Sequence, residues 1–325
     1  MIRISIFTAI LATASALSFG PASAQQHIYG IVANPQGSQN YSVSVALAQV
    51  MDKKLGMQVR VVPMGGSSTF VPLLDRNEAE FGMLNVEETR TAYTGTGTFN
   101  RRSANLQILS VMWPLTISVL VPADSPIRSI ADLKGKRMPA GFKAQQIGGV
   151  IQDALLANAG LSPSDIKGLP SPSLFAGVDL VATGKADAAT SSVGIGQVQE
   201  ANVKMASNGG VRFLSIDTSP AAMARLTQRF IAYPLKLDPS PSLAGITQPT
   251  TVMAYDMFLL TNQKMSEDVA YKVTKMLHDS HADLRKITPI MDRFNPARMT
   301  ADIGVPYHPG AIRYYKEIGQ WPPKK

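Results

Sequence analysis

From His27 to Leu84 the chain alternates between two hydrophobic periodicities, and this alternation constrains its fold more than any other feature. His27 to Ile31 is a short apolar strand that runs into Ala33-Asn34-Pro35-Gln36-Gly37-Ser38-Gln39-Asn40. Tyr41, Val45, Leu47, Ala48 and Met51 then recur at helical spacing, with Gly56 as the stop. Gln58 to Val62 reads as the next strand, Gly65-Gly66-Ser67-Ser68 as a loop, and Phe70 to Asp75 as a helix; Phe81 to Leu84 is a third strand. Strands alternating with helices pack as parallel sheets with right-handed crossovers, so the class is α/β.

A second unit of the same kind begins near Ile117. Ser118 to Val121 is a strand, Ser129 caps a short helix Ile130 to Leu133, and Lys134-Gly135-Lys136-Arg137-Met138 turns into another strand. Gly148 to Ala159 reads as a helix, stopped by Gly160, whereas Val193 to Met205 has no clear reading. After a Pro-rich stretch, Thr251 to Leu260 returns the chain to the first unit, followed by helices from Ser266 to Ile287 and a last capped helix beyond Pro309. Leu73 to Gly82 echoes Leu180 to Ala189: each is a helix end, a tight turn, an alanine with an acid, and a small-residue strand. Two lobes of similar build produce such an echo, as do chance and the shared grammar of helix-to-strand turns. The expected division is 1–24 as a signal peptide, 25–116 with 253–325 as one lobe, and 117–252 as the other.

Export is the expectation from the N-terminus. Arg3 precedes a soft apolar stretch from Ile4 to Leu17, and Ala22-Ser23-Ala24 ends it, as in a cleaved secretory signal. The stretch is short for a bilayer span and diluted by Thr8, Thr13, Ser15 and Ser18. The expected location is the periplasm. Cysteine is absent, which excludes disulfides, thiolate metal sites and cysteine nucleophiles. The net charge of +8 is spread singly or in short pairs such as Lys53-Lys54 and Arg101-Arg102. Without an aromatic-interleaved basic stripe, it reads as a solvated surface and not as a nucleic-acid face.

Four stretches carry a family resemblance: Gly37-Ser38-Gln39-Asn40-Tyr41, Gly65-Gly66-Ser67-Ser68, Thr94-Gly95-Thr96-Gly97-Thr98-Phe99, and Val305-Pro306-Tyr307-His308-Pro309-Gly310-Ala311-Ile312-Arg313-Tyr314-Tyr315. In this order, over nearly the whole chain, they resemble the TAXI family of TRAP transporter solute receptors. The resemblance implies a two-lobe clamshell of the type II periplasmic-binding-protein kind, with the ligand between the lobes. It also implies delivery to TRAP membrane subunits, with carboxylates such as glutamate or 2-oxoglutarate among the ligands, and no cofactor. The chain departs from the family at Ala140-Gly141-Phe142-Lys143-Ala144-Gln145-Gln146, where relatives carry Gly-Ser-Gly-Thr, and at Thr190-Ser191-Ser192-Val193-Gly194. Those departures bear on the ligand more than on the fold.

Open α/β sheets bind ligands at the carboxyl ends of their strands, where loops feed helix N-termini. The candidate ligand-binding residues are therefore Gly37, Ser38, Gln39, Asn40 and Tyr41 in the first loop, Gly66, Ser67 and Ser68 in the second, and Asn85 and Glu87 after the third strand. From the second lobe they are Lys143, Gln145 and Gln146, with Ser191 and Ser192. Backbone N–H groups at a helix start favour an anion such as a carboxylate, which makes a small organic anion the expected partner. Each loop taken alone is equally readable as ordinary turn and cap chemistry. His278 and His281, three residues apart with no third ligand in view, read as a solvated helix face and not as a metal site. No G-x-S-x-G elbow, H-E-x-x-H or P-loop is present, so a binding protein is expected and not an enzyme. A receptor of the same fold that signals to a sensor kinase remains the alternative.

Overall fold

The computed structural model describes residues 27–323, so the expected signal peptide lies outside the described residues. Strand β1 (Ile28–Ala33) leads to helix α1 (Gln39–Leu55), β2 (Gln58–Pro63), α2 (Ser67–Asp75), β3 (Phe81–Asn85) and α3 (Val86–Thr94). β1 lies between β2 and β3 and runs parallel to both. α1 starts where the Ser38 hydroxyl accepts from the backbone N–H of Tyr41, and it ends on a left-handed Gly56. Its buried stripe is Val43, Ala46, Leu47, Val50 and Met51; Tyr41, Val45 and Ala48 are half-buried at its edge. Each fully buried Val, Leu or Met of such a stripe contributes about 1.5–3 kcal/mol.

The next strand, β4 (Leu106–Pro122), is seventeen residues long and begins well before the Ser118 expected from the sequence. It crosses the molecule into a second lobe made of β5 (Arg137–Ala140), α4 (Ile147–Asn158), β6 (Lys167–Pro170), α5 (Leu174–Ala182), β7 (Ala189–Ser192), α6 (Gly196–Lys204), β8 (Val211–Phe213), α7 (Pro220–Thr227) and β9 (Tyr233–Leu237). β10 (Thr250–Asn262) brings the chain back, paired antiparallel with β4 from Met253–Ile117 to Asn262–Leu106. The sheet is therefore mixed, ordered β2-β1-β3-β10-β4-β7, with β8 also on β4 and β9 on β10. Purely parallel pairing fails at the two crossing strands because they run between the lobes in opposite directions. Pro114 has no N–H to give the ladder, and it sits opposite Asp256 where the register slips. Both lobe boundaries read from the sequence, 116/117 and 252/253, fall inside these two strands.

The echo between Leu73–Gly82 and Leu180–Ala189 has a structural counterpart. Each segment closes a helix, turns through a left-handed residue (Asn77 or Gly184) and enters a strand. In each, the acid near the end, Glu80 or Asp187, accepts from the backbone N–H of a neighbouring strand: Gly30 at 2.6 Å and Arg137 at 2.7 Å.

After β10, α8 (Glu267–Asp279) and α9 (His281–Ile287) pack on α1, and α10 (Pro309–Glu317) packs on α8. The Tyr307-to-Tyr315 motif is structural here. His308 caps α10 through Nδ1, which accepts from Gly310 N–H, while its Nε2 donates to the Met265 carbonyl at 3.0 Å. Buried Tyr315 donates to the Leu109 carbonyl at 2.6 Å. Among the described residues no helix is long and apolar enough to cross a membrane.

Candidate functional site

The N-terminal ends of five helices meet around one small cavity between the lobes. α1 supplies Ser38, Gln39 and Asn40, and α3 supplies Asn85 and Glu88. From the second lobe come Gln145 with Ile147 and Ile151 at the start of α4, Leu174 and Phe175 at the start of α5, and Ile195 before α6. Ser191 and Ser192 of β7, Leu115 of β4, and Tyr255 and Met257 of β10 complete the walls. One half of the lining is hydroxyl and amide; the other is apolar. No Lys, Arg or His lines it, so its positive potential comes from helix ends and its one formal charge site is the Glu88 carboxyl.

Glu88 was not among the residues expected from the sequence. It is 5% exposed. Ser67 Oγ donates to one carboxyl oxygen, Asn85 Nδ2 donates to the other at 2.7 Å, and Asn85 Oδ1 accepts from the Glu88 backbone N–H at 2.8 Å. Burial pushes the carboxyl up to about 7, against the lowering effect of the Ser67 and Asn85 hydrogen bonds. Burial first, and then the nearby Glu88 carboxyl, hold the Tyr255 phenol above its ordinary range. The signal was present in the sequence as Asn85-x-x-Glu88, a helix cap with an acid three residues on. Asn34 Oδ1, at the rim, is buried without a hydrogen-bond partner.

Of the expected residues, Ser38, Gln39, Asn40, Asn85, Gln145, Ser191 and Ser192 share this cavity. Ser67 reaches it through Glu88, and Gly66 presses against the second lobe: a methyl group there would stand 2.1 Å from the Ala144 carbonyl oxygen. Gly37 touches the second lobe through its carbonyl, which accepts from Gly196 N–H at 3.1 Å. The others lie elsewhere. Glu87 turns to the outside, 3.8 Å from Arg90, because the residue before Glu88 on a helix points about 100° away. Tyr41 accepts a hydrogen bond from Gln36 on the exposed side. Lys143 is exposed in a groove of the second lobe alone. Ser68 and Gln146 face each other in a separate hollow.

Gln39 stands between the deep cavity and a larger chamber. Its Nε2 donates to the Val193 carbonyl of the second lobe, and its Oε1 accepts from the Trp113 indole N–H at 2.8 Å. The deep cavity offers about 30 Å³ of free volume; the chamber beyond Gln39 offers about 420 Å³ and is also lined from both lobes. A volume of 30 Å³ admits on the order of one or two waters, so the deep cavity as it stands has no room for a larger solute.

Solved structures share this architecture at low sequence identity. The phosphonate-binding protein PhnD1 from Prochlorococcus marinus, in complex with methylphosphonate, matches with a TM-score of 0.53 at 16% identity, over 90% of this chain and 96% of that one. The binding-protein component of an ABC phosphonate transporter from Pseudomonas aeruginosa matches with a TM-score of 0.55 at 12% identity, over 85% of this chain and 82% of that one. The fold is thus the α/β fold of periplasmic solute-binding proteins. The family model described as NMT1-like matches residues 31–319, from the first strand to the last helix. With its strand-end cavity and nearly all of both lobes inside that match, the chain belongs to the NMT1-like family.

Proposed function

We propose that the protein is an extracytoplasmic receptor that captures a small organic anion between its lobes and presents it to membrane transporter subunits. The observation that carries this reading is Gln39: it walls two adjoining cavities, each lined by both lobes, so one cleft is completed only when the halves come together. Cross-lobe hydrogen bonds such as Gln197 Nε2 to the Gln36 carbonyl, at 3.0 Å, join the two halves in this closed arrangement. Closure around a solute shifts the population towards this form, and a membrane partner can read that shape as loading. The phosphonate-binding proteins of similar fold favour an anionic ligand. The four motifs resembling the TAXI receptors favour carboxylates and TRAP-type subunits, and the apolar stretch at residues 4–17 favours a periplasmic location.

A panel of organic acids, amino acids and neutral solutes tests the reading by thermal shift, because a ligand that binds only the folded state raises the melting temperature. At least one solute is expected to stabilise the wild type, and Gln39→Ala is expected to weaken that solute tenfold or more. A panel without effect on the wild type, or full affinity in a folded Gln39→Ala variant, rejects the receptor reading.

A further inference from the structure

The chamber beyond Gln39 contains a guanidinium that no carboxylate contacts directly among the described residues. Arg293 follows α9 in a short 3-10 turn and is partly buried against β4, where its Nη1 donates to Thr116 Oγ1 at 3.0 Å. Among the described residues it forms no ion pair: Asp292, its chain neighbour, is held by Arg285 at 2.6 Å. A guanidinium has five N–H donors in a planar fork. Withdrawing it from water without a directly paired anion costs free energy, and burial holds its pKa below the usual arginine range against the raising effect of nearby Asp292. A fold with no use for the charge would be expected to replace or pair it.

The surroundings of Arg293 are those of a ligand chamber and not of a buried structural charge. The space is about 420 Å³, within the range of small-molecule pockets. Ser42 and Thr288 line it from the first lobe, and Gly194, Ser242 and Leu243 from the second. The charges of the cleft are also divided: the Glu88 carboxyl lies in the deep cavity, while the chamber holds the Arg293 guanidinium and the Asp292 carboxylate, the latter paired with Arg285, with Gln39 between the two spaces. An anion is repelled from the first by any ionised Glu88; in the second it meets the unpaired Arg293 fork, while the charge of Asp292 is offset by Arg285.

We propose that this chamber binds a small organic anion whose carboxylate, phosphonate or sulfonate head pairs with Arg293, and that Arg293 sets the receptor's preference for anions over neutral solutes. The proposal rests on the reading of the inter-lobe cleft as a ligand site and adds the class of ligand and the residue that selects it. Two parallel N–H···O bonds from the fork make such a pair both strong and oriented, which a lysine ammonium does not reproduce.

Matched probes isolate the charge: benzoate against benzamide, propionate against propionamide, with methylphosphonate and methanesulfonate added. Affinity is measured by calorimetry and thermal shift on the wild type, Arg293→Gln and Arg293→Lys. At least one anion is expected to bind the wild type in preference to its neutral match. Arg293→Gln should then lose tenfold or more, and Arg293→Lys an intermediate amount. The melting temperature of Arg293→Gln without solute should be unchanged or higher, since an unpaired charge has been removed; a lower one would mark Arg293 as structural and overturn the proposal. Undiminished anion binding in Arg293→Gln, or in Arg293→Lys should the first variant not fold, would also overturn it. If only neutral solutes bind the wild type, the selectivity claim fails while the receptor reading stands. If nothing binds, both fall.

Discussion

Glu88 is held by two neighbours, Ser67 and Asn85, which act against burial in setting when it carries a proton. Tyr255 is the one other titratable side chain lining its cavity. The folded carboxyl titrates at about 7 against an ordinary 4.5, and the sign follows directly. Below 4.5 the proton is bound in both states and burial of Glu88 adds no ionisation cost. As pH rises towards 7 the unfolded chain ionises first, so stability falls, by about 3 kcal/mol in total, and then levels off. Glu88→Gln is expected to flatten this dependence. Its melting temperature, compared with the wild type, should gain much more at pH 8 than at pH 5; an equal difference at the two pH values would show that Glu88 is not the titrating group. Residues of this kind were partly legible in the sequence. Asn85 was identified from its place after a strand, yet Glu87 was preferred to Glu88 because helical phase cannot be fixed before the first turn is located. Arg293 carries no signal in the sequence, since its meaning lies in Asp292 pairing with Arg285 and leaving the guanidinium without a direct partner, and only the tertiary arrangement shows that.

Elements were more legible than side chains. β1 to β3, α1, α2 and α8 to α10 lie close to where periodicity and caps put them, because their buried faces and stop signals are local, whereas α3 has no counterpart in the sequence reading. β4 was read only from Ser118, since Pro114 and the polar Gln107 and Ser110 interrupt its pattern; antiparallel pairing with β10 over its first twelve residues overrides that local preference. The C-terminal motif shows the reverse case, a sequence pattern whose purpose is packing. Gly310 lies against α8, where a methyl group would stand 2.1 Å from the Glu267 carbonyl oxygen. Gly310→Ala should force α10 away from α8 and cost about 1–3 kcal/mol, measured by denaturant unfolding. A variant as stable as the wild type would mean that the two helices separate freely.

At the scale of the whole molecule, the contact between Gly66 and the Ala144 carbonyl separates closure from ligand chemistry. Gly66 has an extended backbone that any residue adopts, so a side chain there is excluded by the facing lobe and not by its own conformation. Gly66→Ala is expected to act as a wedge, giving a larger radius of gyration in small-angle scattering with little change in melting temperature. Scattering profiles identical to the wild type would show that this contact does not limit closure. The long ribbon of β4 and β10 belongs to both lobes at once, with β3 on one stretch and β7, β8 and β9 on the other. Neither half is therefore an autonomous module. Excising residues 117–252 would cut through both strands and leave bare backbone edges of the sort that recruit foreign chains. The same hydrogen-bonded ladder that joins the two lobes also keeps the halves from existing apart.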